Sequence, residues 1–220
     1  MYTVADLYSL EHSLAGNYLS QFVYPWEALK GIKELILTLG PSLAEAGYEE
    51  REPQVWVHST ARIAPTAFLG APCIIGPETE VRHCAFIRGS ALVGAGCVVG
   101  NSVELKNVIL FDRVQVPHFN YVGDSILGYR SHMGAGSVTS NVKSDKTAVV
   151  IHSRKESLPT GLTKMGAMLG DNVEVGCNSV LNPGTILGKG CQIYPTSCVR
   201  GVVEENCIWK NNGTVVRKHS

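Results

Sequence analysis

The sequence predicts an all-β fold, a solenoid built as a triangular parallel β-helix, with a small helical region before it. Three features carry that reading. First, every sixth residue from Val57 is large and apolar: Val57, Ile63, Leu69, Ile75, Val81, Ile87, Val93, Val99, Leu105 and Phe111. The beat returns at Leu169, Val175, Leu181, Leu187, Ile193 and Val199. Second, a smaller residue sits two positions earlier, as at Ala61, Ala67, Cys73, Thr79, Ala85, Ala91 and Cys97. Third, Gly repeatedly follows the large residue, as in Leu69-Gly70, Ile75-Gly76, Val93-Gly94 and Val99-Gly100. Self-similarity at a fixed period marks a solenoid. One large and one small inward group per hexad describe one flat face of a prism. Three hexads make a coil of about 18 residues, and coils about 4.8 Å apart give seven or eight coils a length on the order of 35 Å.

Elements follow in chain order. Residues 1–52 carry no hexads and read as a helical N-terminal cap or arm. Thr3-x-x-Asp6 is a capping-box-like start, with Leu7, Leu10 and Leu14 at helical spacing behind it. Pro25 opens a second helix, Trp26 to Leu39, which Gly40-Pro41 should stop. A short third helix is expected from Ser42 to about Ala46. An open β-helix end is an exposed sheet edge, so a cap there has a purpose. The solenoid should occupy residues 53–203, starting near Val55. Its beat breaks at Pro117, where the next large residues are Val122, Leu127 and Met133. An excursion fills residues 141–168, with a strand-like run at Ala148–Ile151 and five basic residues, Lys143, Lys146, Arg154, Lys155 and Lys164. Long insertions in regular repeats often carry function. Residues 204–220 read as a C-terminal hairpin around Asn212-Gly213.

Composition excludes several classes. The 220 residues carry 19 Lys+Arg against 19 Asp+Glu, so no global field attracts nucleic acid or a membrane surface. No apolar run reaches the roughly 18 residues of a membrane span, which leaves a cytoplasmic location as the default expectation. Of the seven Cys, Cys73, Cys97 and Cys191 take small inward positions and read as buried thiols, not metal ligands or disulfide partners.

A few residues stand out chemically. Arg88 and Lys106 follow inward residues one coil apart, so both cations leave the same corner and repel unless an anion, such as a phosphate, lies between them; the alternative is a pair of solvent-screened surface charges with Glu104 as partial neutraliser. His118 lies where the rhythm fails, which is where functional sites are expected in a regular fold. The 18-residue register would put Arg82 and Gly100 beneath it, leaving room above its ring. Gly134-Ala135-Gly136 would let a ligand chain approach the backbone closely, although it does not match a phosphate-binding loop.

These residues sit in longer segments: Asn101-Ser-Val-Glu-Leu-Lys106, Pro117-His118-Phe-Asn-Tyr121-Val-Gly-Asp124, Gly134-Ala-Gly-Ser137 and Asn141. In order and spacing they resemble the acetyltransferase half of the bacterial bifunctional enzyme that acetylates glucosamine 1-phosphate and then uridylylates it. The resemblance covers most of residues 53–203. It implies a left-handed β-helix, a homotrimer, acetyl-CoA or another acyl-CoA as cosubstrate, and an amino-sugar phosphate as acceptor. By position, His118 matches the family's catalytic base and Asn141 a residue at the acceptor amine and thioester. Arg88 and Lys106 match its sugar-phosphate clamp, and Tyr121 a sugar-site residue. His132 stands where the family has a sugar-contacting Asn. Gly134, Ala135 and Gly136 fall at the cofactor side. Arg200 resembles an arginine that meets the 3′-phosphate of CoA from a neighbouring subunit. The nucleotidyltransferase half is not expected here, since 52 helical residues cannot hold it. A non-catalytic trimeric scaffold or sugar-nucleotide-binding module stays open as a second reading. A γ-class carbonic anhydrase, with His83, His118 and His132 as zinc candidates, is a third.

Overall fold

The structure is a computed structural model that describes residues 1–153 and 156–218. The chain forms a left-handed parallel β-helix of about eight coils. Its first face stacks Val55–His58, Cys73–Ile75, Ala91–Val93, residues 108–110 and 125–127, Ala167–Leu169, Thr185–Leu187 and Val202–Val203. The second face runs from Arg62–Ile63 through Glu80–Val81, Val98–Asn101, Gln115–His118, His132–Met133, Glu174–Val175 and Gln192–Ile193 to Cys207–Trp209. The third carries Phe68–Leu69, Phe86–Ile87, residues 104–105 and 121–122, Val138–Thr139, Val180–Leu181 and Cys198–Val199. The longer strands Glu104–Leu110 and Tyr121–Leu127 turn a corner and serve the third and first faces.

Inward residues of successive coils stack directly. Val57, Ile75, Val93, Leu110 and Leu127 are consecutive parallel partners, and Leu105, Val116, Val122 and Met133 are fully buried with them. This corrects the sequence register. The beat shortens at the Lys106-Asn107 corner, where Leu105 is followed inward by Leu110, and not at Pro117. Phe111 is buried but lies off the beat, its ring stacked 5.0 Å from Tyr8 of the N-terminal segment. An apolar residue at a sixth position thus hid a five-residue corner. Ile63 and Leu69 are only half-buried, because the first coil has a neighbouring coil on one side alone.

The N-terminal segment does not plug an end of the prism; it lies along the first face. Every strand of that face from Cys73 to Leu187 buries its outward residue as well: Ile74, Leu92, Ile109, Ile126, Met168 and Ile186. Burying such a side chain is worth about 1.5–3 kcal/mol each. The segment contains short turns at Val4–Leu7, Leu10–His12 and Gly16–Leu19, then a run of 3-10 and α turns over Pro25–Gly31, Ile32–Leu39 and Gly40–Ala46. The Thr3–Asp6 capping box is present, Thr3 N donating to Asp6 Oδ2 at 2.8 Å. Gly40-Pro41 tightens the helix into a 3-10 turn and does not end it. Tyr48–Glu52 then pairs antiparallel with Val55–His58, a hairpin the hexad pattern does not signal.

Asp171 anchors the segment from the solenoid side. Its buried carboxylate accepts from Ser9 N and Oγ and from Tyr129 N, and pairs with Lys189 at 3.0 Å. Within residues 141–168 a hairpin pairs Val150–His152 with Ser157–Pro159. Arg154 and Lys155 lie outside the described residues. At the C-terminal end Cys207–Trp209 pairs with Val215–Arg217, the turn using Gly213 at φ 81°.

Candidate functional site

The corner between the third and first faces collects the charged candidates. Arg88 and Lys106 follow Ile87 and Leu105, which are parallel partners, so the two cations stack one coil apart as their spacing requires. Each has its own carboxylate. Arg88 Nη1 meets Glu104 Oε1 at 2.7 Å, and Lys106 Nζ lies 3.0 and 3.1 Å from the two oxygens of Asp124. The repulsion inferred from sequence is therefore relieved within the chain, and no ligand is needed to relieve it. The Glu104 carboxylate also raises the Arg88 pKa above its ordinary value.

Asp124 is the hub of this corner and sequence reading missed it as such. It is 4% exposed, and it accepts from Lys106, from Asn107 Nδ2 at 2.9 Å and from Asn141 Nδ2 at 2.6 Å. One buried carboxylate thus fixes two of the candidate site residues. Lys106 pairs across the ladder with Gly123, so no side chain stands over it there. The Tyr121 hydroxyl fills that gap; a Cβ on Gly123 would collide with it. Burial pushes the Tyr121 phenol up from its ordinary pKa, and a hydrogen bond from Asn141 opposes that shift.

His118 lies at the opposite corner of the same coil, at the end of Gln115–His118. It is exposed, and its ring takes no hydrogen bond from a described residue. The register sets it beside Asn101, not Gly100. Gly100 lies under Pro117, whose carbonyl would collide with any Cβ there. Above, Gly136 N donates to His118 O at 3.0 Å. Asn120 ties the two turns together, its Nδ2 donating to Gly134 O at 2.8 Å and Ser137 O at 3.0 Å. Phe119, between them, is 61% exposed at φ 53°, an uncommon conformation for a bulky residue. Of the Gly134–Gly136 amides, the two glycine N–H groups serve the coil ladder; that of Ala135 has no acceptor among the described residues.

His132 does not join this cluster within one chain. It shares the second face with His118 but lies opposite Gln115, at the far end of that strand, with Nδ1 2.8 Å from Glu174 Oε2. His83, the remaining histidine of the zinc reading, contacts Thr66 Oγ1 at 2.9 Å. Arg200 follows Val199 on the corner column that carries Arg88 and Lys106. It stands four coils beyond Lys106, about 19 Å at the usual strand spacing. A single phosphate-sized anion therefore cannot touch both Arg88/Lys106 and Arg200 of one chain. Arg200 lines a cavity of about 460 Å³ with Lys143, His152 and Asn182, so the excursion hairpin and the solenoid form it together. Lys143 is held by Asp145 at 3.4 Å.

A family model described as the GMPPB C-terminal domain matches residues 72–204. The chain belongs to the GMPPB C-terminal domain family. A bifunctional protein GlmU from Methanococcus maripaludis is 30% identical over 115 residues, which is 52% of this chain and 28% of that protein. A bifunctional sugar-1-phosphate nucleotidylyltransferase/acetyltransferase from Sulfurisphaera tokodaii is 30% identical over 95 residues, 43% of this chain and 24% of that protein. The chain thus spans well under half the length of these relatives. A hexapeptide transferase family protein from Anaplasma phagocytophilum aligns with TM-score 0.43 at 19% identity, covering 74% of this chain and 78% of that one. In its repeats and in these matches the chain resembles the hexapeptide-repeat acyltransferases. Among the described residues, no helix is long and apolar enough to cross a membrane.

Proposed function

We propose that this chain transfers an acyl group from an acyl-CoA to the amine of an amino-sugar phosphate, as a homotrimer. The observation that carries the reading is the layout of three adjacent coils. His118 stands at one corner, the Tyr121 strand crosses the third face, and Lys106, Asp124 and Asn141 are locked together at the other corner. An imidazole at one end and a phosphate-sized cationic corner at the other suit a small bifunctional acceptor.

In this mechanism Arg88 and Lys106 hold the acceptor phosphate. The amine nitrogen attacks the thioester carbonyl, and neutral His118 takes the proton that the nitrogen loses. The Ala135 N–H, unused by the ladder, is the candidate donor to the oxyanion. Collapse of the tetrahedral adduct breaks the C–S bond, and the thiolate leaves as CoA–SH with the proton held by His118. Asn141 Nδ2 donates to Asp124, so its amide carbonyl is the end left to orient the amine. Lys143, His152 and Arg200 line the cavity suited to the phosphates of CoA. The exposed Phe68 and Phe86, 5.6 Å apart on the third face, with Val180 farther along it, offer apolar surface for the trimer contact, since the first face is already covered.

The test is CoA release from acetyl-CoA with glucosamine 1-phosphate as acceptor, followed by chromatography because the protein has exposed thiols. Turnover that vanishes in His118→Ala supports the reading. No turnover with any amino-sugar phosphate sinks it. One observation favours the second reading, a binding module without turnover: among the described residues no carboxylate orients the His118 ring. Tight binding of a sugar phosphate or sugar nucleotide without consumption of acetyl-CoA would establish that alternative.

A further inference from the structure

The N-terminal segment has no counterpart in the repeat pattern, yet it reaches the cationic corner. Helix Ile32–Leu39 buries Ile32 and Ile36 on the first face and leaves Lys33 exposed. Asn107 Nδ2 donates to Leu29 O at 3.2 Å, which pins the segment to the corner that carries Lys106. Between them lies a pocket of about 400 Å³ lined by Lys33, Arg88, Gly89, Ser90, Lys106 and Asn107.

Charge decides what this pocket can hold. Arg88 is matched by Glu104 and Lys106 by Asp124, so the solenoid's own contribution is close to neutral. Lys33 has no ion-pair partner among the described residues. The Ser90 hydroxyl, half-buried in the same pocket, makes no hydrogen bond to a described residue. A phosphate monoester carries about −1.5 to −2 charges near pH 7, more than a neutralised pair of cations can balance. The uncompensated charge comes from the helix.

We infer that Lys33 is a third phosphate-binding cation, and that the N-terminal segment thereby completes the acceptor site by selecting a phosphorylated over an unphosphorylated amino sugar. Ser90 supplies a neutral donor to the same phosphate. The inference rests on the acceptor-phosphate reading above.

The experiment compares wild type, Lys33→Met, Lys33→Arg and Arg88→Met as full chains. Inorganic phosphate and glucosamine 1-phosphate are the titrants in calorimetry, and glucosamine and acetyl-CoA are varied in kinetics. Lys33→Met should weaken both phosphate-bearing ligands about tenfold, the effect of one partly screened charge a few ångströms away, and should flatten the salt dependence of binding. Lys33→Arg should restore affinity, while the KM values for acetyl-CoA and for unphosphorylated glucosamine should not move in any Lys33 variant. Unchanged phosphate affinity in Lys33→Met, with affinity lost in Arg88→Met, overturns the role of Lys33 alone. Equal weakening in Lys33→Met and Lys33→Arg, or a parallel rise in the acetyl-CoA KM, shows a structural role and overturns it as well. Failure of wild type to bind either phosphate ligand overturns the acceptor reading, and this inference with it.

Discussion

Asp124→Asn separates the buried carboxylate's two jobs, holding the corner together and neutralising Lys106. The substitution keeps shape and one oxygen. The native oxygens accept from Lys106 Nζ twice, from Asn107 Nδ2 and from Asn141 Nδ2, all within 2.6–3.1 Å. Each oxygen accepts two of these contacts, so an amide must turn its NH₂ toward two of the donors. Hydrogen bonds to a charged group contribute about 1.5–3 kcal/mol, and Lys106 can withdraw partly into water, so the expected loss is about 2–3 kcal/mol. With a urea m-value of about 2 kcal/mol/M, the unfolding midpoint should fall by about 1–1.5 M. Function should split. Asn141 loses its anchor and kcat should drop about 10–100-fold, the scale of a 1 Å misplacement. Lys106 becomes uncompensated, so the KM for a phosphorylated acceptor should not rise. Urea denaturation and steady-state kinetics read the two effects independently. Stability within about 0.5 kcal/mol of wild type, the range of an inconsequential surface change, together with unchanged kcat, would refute the hub.

The remaining predictions address other links. His118→Ala should reduce turnover about 10²–10⁴-fold while leaving the thermal midpoint unchanged, because an exposed ring adds nothing to the core; more than half the wild-type rate would remove His118 as the base. Ile109→Ala, beneath the N-terminal segment, should cost about 2–5 kcal/mol in a urea titration even though Ile109 points out of the prism; a loss typical of a surface site would contradict that cover. Burial pushes the Cys73 and Cys97 thiols up to about 12 and Cys191 up to about 11. Unfolded thiols ionise near 8.5, so this contribution to stability is whole below that pH and shrinks as pH climbs toward 11–12. A urea midpoint that does not fall between pH 8.5 and 10.5 would argue against it. Acetyl-CoA affinity should weaken with added salt, and Arg200→Ala should lessen that dependence; a salt-insensitive affinity would place CoA elsewhere.

Much of the fold is visible in the hexads because inward and outward positions alternate so regularly. Where reading failed, the reason is local. Phe111 fell on the expected sixth position yet is apolar for a different reason, its contact with Tyr8, so the slip at Lys106-Asn107 passed unseen. The covered face was legible in principle. Cys73-Ile74-Ile75, Ala91-Leu92-Val93 and Ala167-Met168-Leu169 each place an apolar residue at an outward position once per coil, a signal of a second buried side. Handedness was not, since either hand gives the same alternation. In the candidate site, stacking of Arg88 on Lys106 followed from spacing alone. The role of Asp124 did not, because its partners at positions 106, 107 and 141 come from the two coils on either side of its own. The resemblance puts His132 at the sugar site; it shares the second face with His118, but the register sets it opposite Gln115, at the far end of that strand.

The N-terminal segment also changes what kind of object the solenoid is. A stack of coils is normally a one-dimensional array in which each layer knows only the next, so it can fray from either end. Here the segment runs against the direction in which the coils climb. Tyr2 donates to Glu204 and receives the N–H of Glu205, while Gly40 packs on Trp56 of the first coil. It acts as a splint that ties both ends to one strip of chain, so opening the last coil strains the hold on those before it. Loss of the terminal coil should therefore spread through the whole molecule as a single cooperative event. The splint is synthesised before the solenoid yet seats after it, since Tyr2 must wait for a partner 203 residues away.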